Sequence, residues 1–138
     1  MGQSQSVSRK VNFEDIQYLL NKDNESILIN TLDEKEQSCL IKNTVSIENE
    51  VKYINHFMTQ NININIIIYD KNANAPNLMK KYEQLSGLGF TNVFIYPGGL
   101  FEWLLLQDIY GMEDFPTTKQ ERDHLKYKGK SIFTSLLL

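Results

Sequence analysis

Two apolar runs of strand length, separated by a helical stretch, constrain the fold of this chain more than any other feature. Residues 65–70 read NIIIYD and residues 89–96 read GFTNVFIY, and a helical pattern begins near Pro76 between them. Strand, helix and strand in this order form a βαβ unit with two parallel strands. Open sheets of this kind bind ligands at the carboxyl ends of their strands, so the loop that begins at residue 70 is the first candidate site.

Four further elements are predicted around this unit. Asn12 is expected to cap a helix over residues 14–21, residues 26–30 form the first core strand, and residues 100–110 form an apolar helix in which Trp103 packs in the core. Residues 48–58 form another helix. The candidates for its packed face are Val51, Ile54, His56, Phe57 and Met58.

Charge and cysteine content exclude several classes of function. The chain has 138 residues and a net charge of −3, without a stripe of basic residues, so no nucleic-acid partner is expected. Cys39 is the only cysteine, so an intrachain disulfide is impossible and nothing argues for secretion. The chain has no apolar run of membrane-spanning length and no signal-peptide core. We expect a cytoplasmic protein.

The pattern resembles the rhodanese family. The resemblance rests on the strand before Asp70, on residues 89–93, and on the ending in Gly98 and Gly99 followed by Trp103. It implies a three-layer α/β/α fold with a mostly parallel central sheet of about five strands. The predicted organisation is a flexible N-terminal tail at residues 1–10, a rhodanese-like domain at residues 11–111 and a C-terminal extension at residues 112–138.

The same resemblance implies that a nucleophilic cysteine heads the loop after the central strand, but this chain has Asp70 there. The loop comprises Asp70, Lys71, Asn72, Ala73, Asn74 and Ala75, and it has no Cys, Ser, Arg or Gly. Loop N–H groups before a helix stabilise an anion, so we expect Asp70 to be a permanent anion that accepts them, with Lys71 solvated. A carboxylate cannot carry a persulfide. The loop is therefore predicted to be a degenerate active site without catalytic residues.

Neither the cysteine nor the acidic residues elsewhere offer a replacement chemistry. Cys39 lacks an electropositive setting in the sequence and is expected to be a small buried hydrophobe. The acids Asp33, Glu34 and Glu36 are too weak a signal for a metal site. We expect no metal and no cofactor.

The N-terminal tail matches the pattern for N-myristoylation. Gly2 becomes the acceptor once Met1 is removed, and Ser6 stands at the second required position. A single myristoyl chain holds a membrane only marginally, and Arg9 and Lys10 add little. The tail therefore predicts a lipid anchor with reversible, peripheral membrane association.

The C-terminal end is apolar and follows a basic stretch at residues 126–130. Its large apolar side chains are Ile132, Phe133, Leu136, Leu137 and Leu138. Exposed apolar clusters mark contact surfaces, so we expect this end to pack on its own domain, on another copy or on a partner. Self-association through residues 131–138 is one such outcome.

These features favour a non-catalytic rhodanese-like binding or scaffold module, tethered by N-myristoylation and acting on an unidentified protein partner. The alternative is a sulfurtransferase or phosphatase-like enzyme with unorthodox active-site chemistry. A structural protein without any ligand is a third interpretation. Because fold does not fix function, the choice depends on the geometry of the loop at Asp70.

Overall fold

The computed structural model of this protein describes residues 9–21 and 25–136. Gly2, Leu137 and Leu138 therefore lie outside the described residues. The elements are α1 (Phe13–Asn21), β1 (Ser26–Asn30), a 3₁₀ turn (Glu34–Glu36), α2 (Ile47–Gln60), β2 (Asn65–Tyr69), α3 (Pro76–Gly87), β3 (Val93–Ile95), α4 (Gly99–Tyr110), a second 3₁₀ turn (His124–Tyr127) and α5 (Ile132–Leu136).

The three strands form a parallel sheet in the order β1-β2-β3. In this register Asn30 lies opposite Tyr69, and Ile68 lies opposite Ile95. The apolar run of β2 makes it suited to the central position, where a strand is covered on both faces. All three strands end at the same edge of the sheet, and that edge carries the candidate site.

The described residues hold three strands rather than the five or so predicted, and the difference lies at the two edges. Lys10 forms a single parallel bridge to Ile95 beyond β3, and Thr44 forms one to Leu28 beyond β1. Both edge segments are short because a helix follows at once: α1 begins at Phe13 and α2 at Ile47. The described sheet therefore has three strands, with one isolated parallel bridge beyond each edge strand.

Helices cover both faces of the sheet, which gives the predicted three layers. One core contains Ile16 of α1, together with Leu100 and Trp103 of α4, against Leu28 and Ile67. The other core contains Ile54 of α2 with Leu78 and Leu85 of α3, against the alternate side chains of the same strands. Side chains alternate between the two faces along each strand, so a single strand supplies both cores.

The chain beyond α4 is part of the first core. Phe115 and Tyr127 are buried in it, and the ring centroids of Phe115 and Trp103 are 5.0 Å apart in an edge-to-face arrangement. Trp103 is fully buried, and its indole N–H donates a 3.1 Å hydrogen bond to the carbonyl of Pro116. The prediction that Trp103 is a core residue is confirmed.

The packed face predicted for α2 is partly wrong, and the structure does not show two residues of the C-terminal end packing on their own domain. In α2 Ile54 is buried and Phe57 is partly buried, whereas Val51, His56 and Met58 are exposed. At the C-terminal end Ile132 and Phe133 remain 72% and 80% exposed, so their own domain does not cover them.

Candidate functional site

Asp70 lies at the carboxyl edge of the sheet, directly after the central strand β2. Thr31 follows β1 in the same way, and the register that pairs Asn30 with Tyr69 places Thr31 beside Asp70. Asp70 is only 3% exposed. The residue at the head of the loop is therefore enclosed by the protein.

Both oxygens of the Asp70 carboxylate have partners inside the protein. The hydroxyl of Thr31 donates to Oδ2 at 2.5 Å, and the backbone N–H of Lys71 donates to Oδ1 at 2.6 Å. Burial raises the pKa of Asp70, while these two hydrogen bonds partly oppose the rise. The partners of Asp70 differ from the expected nest of loop N–H groups: among the described hydrogen bonds, its buried carboxylate accepts from one hydroxyl and from one adjacent N–H.

The sequence predicts a solvated Lys71, but in the structure this side chain forms an ion pair. Its ammonium nitrogen lies 3.2 Å from Oε1 of Glu36, in the 3₁₀ turn after β1. Glu36 also opposes ionisation of Asp70, because its negative charge raises the pKa of that carboxyl group. The ion pair ties the start of the loop to the neighbouring segment, and it is partly exposed on both sides.

The backbone of the loop is held from behind by the first turn of α4. The N–H of Leu100 donates to the carbonyl of Asp70 at 3.0 Å, and the N–H of Phe101 donates to that of Lys71 at 2.9 Å. Gly99 permits this approach, since its φ is +65° and a Cβ there would stand 2.6 Å from the carbonyl oxygen of Asp70. These N–H groups bind loop carbonyls and are not directed at a ligand.

The helix that follows the loop begins with a proline and has no side-chain cap. Pro76 opens α3 and has no N–H, and Ala75, at the cap position, makes no side-chain hydrogen bond to the helix. Ala73 and Ala75 contribute no polar side chain. The sequence-predicted loop residues thus form one continuous turn, but they do not converge on a common ligand position.

The C-terminal extension lies against this loop. The side-chain amide of Asn72 donates to the carbonyl of Tyr127 at 2.9 Å, and Tyr127 is buried. Nearby, a Cβ at Gly129 would be 3.3 Å from the side-chain nitrogen of Asn74. Asn72 also accepts a 2.9 Å hydrogen bond from the N–H of Asn74, so its side chain is committed to local structure.

The end of β1 is also closed by hydrogen bonds within the protein. The side-chain oxygen of Asn30 accepts from the amide of Gln37 at 2.8 Å and from the N–H of Leu32 at 3.0 Å. Leu32 is buried in the first core. Asn30 and Leu32 therefore offer no charged group to a substrate.

A cavity of about 440 Å³ lies next to this region, between the end of β1, α2 and α3. Its lining residues are Asn30, Thr31, Leu32, Ile47, Glu50, Asn77, Lys80, Lys81 and Gln84. None of them belongs to the loop at residues 70–75. Thr31 lines the cavity and also contacts Asp70, because its hydroxyl is bound to that carboxylate.

Cys39 is buried, as predicted. Its thiol lies 3.2 Å from the carbonyl oxygen of Lys119, and burial raises the pKa of the Cys39 thiol. A raised pKa lowers the thiolate fraction at neutral pH, so this thiol is a poor nucleophile.

Sequence reasoning missed three participants in this site: Thr31, Glu36 and Tyr127. The position of Thr31 beside the loop could have been predicted, because residues that follow adjacent parallel strands meet at one sheet edge. Glu36 and Tyr127 reach the loop through a 3₁₀ turn and through the extension, and neither contact has a signal in the sequence.

Two general findings bear on the chemistry available here. Across residues 9–21 and 25–136, no group of three or more His, Cys, Asp and Glu residues is arranged to hold a metal ion. Within the same ranges, no helix has both the length and the apolar character needed to cross a bilayer.

Comparison with solved structures shows that other small proteins share this fold. The Alr3790 protein from Anabaena superposes with a TM-score of 0.59 at 18% identity, covering 84% of this chain and 97% of its own. The BH2092 protein from Bacillus halodurans gives a TM-score of 0.59 at 19% identity, with coverage of 78% and 77%. The single-domain sulfurtransferase RDL2 from Saccharomyces cerevisiae gives 0.55 at 15% identity, with coverage of 78% and 98%.

At these identities the likeness shows the fold alone. A comparison with curated proteins finds no match. The profile of the Rhodanese-like domain family matches residues 13–106, which include both sheet faces, the loop at Asp70 and most of α4. This chain therefore belongs to the rhodanese-like domain family.

Proposed function

We propose that this protein is a non-catalytic rhodanese-like module that binds an unidentified protein partner and is tethered to a membrane through an N-myristoyl group. The non-catalytic part of this proposal rests on the position, the burial and the hydrogen bonds of Asp70. This residue occupies the position where the family places its nucleophile, it is buried, and both carboxylate oxygens are bound by Thr31 and by the N–H of Lys71.

The chemistry of a carboxylate supports this proposal. Sulfur transfer through the loop needs a thiolate that takes up sulfane sulfur as a persulfide, and a carboxylate cannot form that bond. Cys39 does not replace it, because its thiol is buried and its pKa is raised. Attack of Asp70 on phosphorus, as in a phosphoaspartate enzyme, requires an accessible carboxylate. The burial of Asp70 argues against that alternative.

The C-terminal extension supports the same conclusion by occupying space at the loop. Asn72 is bound to the carbonyl of Tyr127, and the backbone of the loop is bound to α4. A substrate that approached Asn72 would have to displace its contact with Tyr127, whereas the bonds to α4 hold the loop from behind.

A sulfurtransferase assay tests the non-catalytic part. With thiosulfate as donor and cyanide as acceptor, we expect the purified protein to turn over no faster than a buffer blank. Asp70→Cys alone is expected to restore little activity, because Ala73 and Ala75 leave the loop without the glycine and arginine that shape and charge it. Cys39→Ser is the matched control for adventitious thiol chemistry. Turnover above the blank that survives Cys39→Ser contradicts the proposal.

The membrane part rests on Gly2 and Ser6 and is tested separately. Gly2→Ala removes the acceptor amine, and Arg9 and Lys10 are too weak to hold the protein on their own. In a eukaryotic source we expect most of the protein to move from the membrane fraction to the supernatant. Intact mass of the wild type reports the acyl group directly. An unchanged mass, or equal membrane shares for both forms, eliminates the lipid anchor.

A further inference from the structure

The C-terminal end presents three large apolar side chains to solvent within a short stretch. Leu125 is 62% exposed, Ile132 is 72% exposed and Phe133 is 80% exposed. Single exposed apolar side chains are normal on a surface, but Ile132 and Phe133 are adjacent in the chain and directly follow a basic stretch, and apolar side chains next to charged ones favour a contact surface. We call Leu125, Lys126, Lys128, Lys130, Ile132 and Phe133 the C-terminal patch.

The charge of this end is opposite to that of the rest of the chain. Residues 124–138 contain three lysines and no Asp or Glu, a formal charge of +3. The whole chain carries −3, so residues 1–123 carry −3 − 3 = −6. Lys126 is held by Glu121 at 2.8 Å, while Lys128 and Lys130 are exposed and form no ion pair among the described contacts.

The segment around Tyr127, within the C-terminal patch, is packed on the folded domain. Tyr127 is buried, its carbonyl accepts from Asn72, and the 3₁₀ turn that contains it packs on α4. Lys128, Lys130 and the apolar pair Ile132 and Phe133 therefore leave the protein from one defined place at the loop edge of the sheet.

We propose that the C-terminal patch binds an anionic membrane surface, with its lysines at the headgroups and Ile132 and Phe133 in the interface. Lysines near an anionic leaflet are attracted to it, and aromatic and aliphatic side chains beside them add buried apolar area. The inference rests on the proposed membrane association, to which it adds a second contact. Stable anchoring by one myristoyl chain requires such a second signal.

Charge and size favour a membrane over a second copy of this chain. In a symmetric dimer the same patch would face itself, and its positive charges would repel. A stable protein interface buries roughly 800 Å² on each partner, over some 20–30 residues, which is far more than this short stretch offers. A bilayer needs only a few inserted side chains and supplies the complementary charge.

Vesicle sedimentation with the full chain carrying Gly2→Ala tests this contact without any acyl group. We expect this protein to bind an excess of vesicles of equal parts phosphatidylcholine and phosphatidylserine weakly, with an affinity too low to hold it on cell membranes without the acyl chain. This binding should be lost at high salt and should be far weaker with phosphatidylcholine vesicles. Adding either Lys128→Glu with Lys130→Glu or Ile132→Ser with Phe133→Ser should weaken binding by about tenfold or more.

Matched controls lie on exposed positions elsewhere. Val51→Ser removes an apolar side chain that is 69% exposed on α2, and Lys42→Glu with Lys52→Glu reverses two exposed lysines. Both should leave vesicle binding within about twofold of the Gly2→Ala protein, since one contributes little apolar area and the other lies away from the patch. Equal losses in controls and patch variants would show a nonspecific charge effect and overturn the proposal.

The remaining outcomes are also decisive. No binding to the anionic vesicles, or equal binding to both compositions, overturns the patch as a lipid contact. If the protein instead forms dimers by light scattering that depend on Ile132 and Phe133, the patch is a self-association surface and the proposal is wrong. Because this assay uses Gly2→Ala, its failure leaves the lipid anchor untouched, and loss of the anchor leaves this assay unchanged.

Discussion

The ends of the two adjacent strands β2 and β3 differ in what they keep of the family pattern. After β3 the chain has Gly98, Gly99 and Trp103, as the family does. After β2 it has Asp70 and no cysteine, glycine or arginine in the loop. One strand end keeps the residues on which the resemblance rests, and its neighbour has Asp70 where the resemblance implies a cysteine.

The contacts between these strand ends allow one end to change its side chains while the other keeps its motif. Gly99 lets the first turn of α4 approach the loop, where Leu100 and Phe101 bind the carbonyls of Asp70 and Lys71. These bonds involve only backbone atoms of the loop, so they are indifferent to the side chain at its head. The backbone contacts that shape the loop therefore do not depend on which side chain stands at position 70.

The largest expected effect is on the strand end that keeps its motif. Trp103 is fully buried and packs edge-to-face against Tyr96 and Phe115. Trp103→Ala should lower the free energy of unfolding by about 3–5 kcal/mol, because it removes this packing and leaves a cavity. Urea denaturation followed by circular dichroism measures the loss.

Tyr18→Ala is the matched control for this variant, since Tyr18 is an aromatic residue on α1 that is 62% exposed. Its cost should stay within about 1 kcal/mol. A loss of similar size in both variants would mean that the region after β3 has no special structural role, and the comparison between the two strand ends would fail.

A smaller effect tests the connection between the two strand ends. Gly99→Ala places a Cβ 2.6 Å from the carbonyl oxygen of Asp70 at a φ of +65°, so it should cost about 2 kcal/mol or more. Gly87→Ala, in α3, meets nothing within 4 Å and should be neutral or stabilising by up to about 1 kcal/mol. Thermal unfolding of the pair separates a steric cause from a general effect of added methyl groups.

If Gly99→Ala proves as mild as Gly87→Ala, the loop does not depend on close approach by α4. If it is costly, hydrogen exchange at the N–H groups of Leu100 and Phe101 should also accelerate, since their bonds to Asp70 and Lys71 are the ones displaced.

Sequence alone predicts the βαβ unit, the turn at Gly98 and Gly99 and the burial of Trp103. Apolar periodicity and turn residues specify such local structure directly. Three features do not follow from the sequence. The sheet edges are single bridges because helices begin at once. Val51 of α2 is apolar but exposed, because the width of a packing groove is a property of the assembled layers. The contact between Asn72 and Tyr127 joins segments that are far apart in the chain.

The site shows the same division. The aspartate at the head of the loop is a property of one position and is read directly from the sequence. The burial of that carboxyl group depends on Thr31 and on the packing around it, and the raised pKa follows from that burial. A sequence identifies which group stands at the loop head, whereas its protonation depends on neighbours brought by the fold.

The smallest expected effect concerns the protonation of Asp70. Burial raises its folded-state pKa above the ordinary value of 3.8, so the folded protein holds this proton more tightly than the unfolded chain. The contribution of Asp70 to stability is therefore fully present below that ordinary value and is lost as pH rises through the folded-state pKa. Asp70→Asn should change stability by no more than about 1 kcal/mol at pH 7, since its amide still pairs with Thr31 or with the N–H of Lys71.

Urea unfolding of wild type and Asp70→Asn from pH 7 down to the ordinary pKa of Asp measures the shift. The difference in unfolding free energy should move in favour of the wild type as pH falls. Thr31→Val should steepen the pH dependence of the Asp70 protein, because it removes a hydrogen bond that lowers this pKa. A difference that is flat with pH, or that moves in favour of Asn at low pH, would mean that Asp70 is a well-stabilised anion. The loop at the end of β2 would then retain the anion-binding character of an active site.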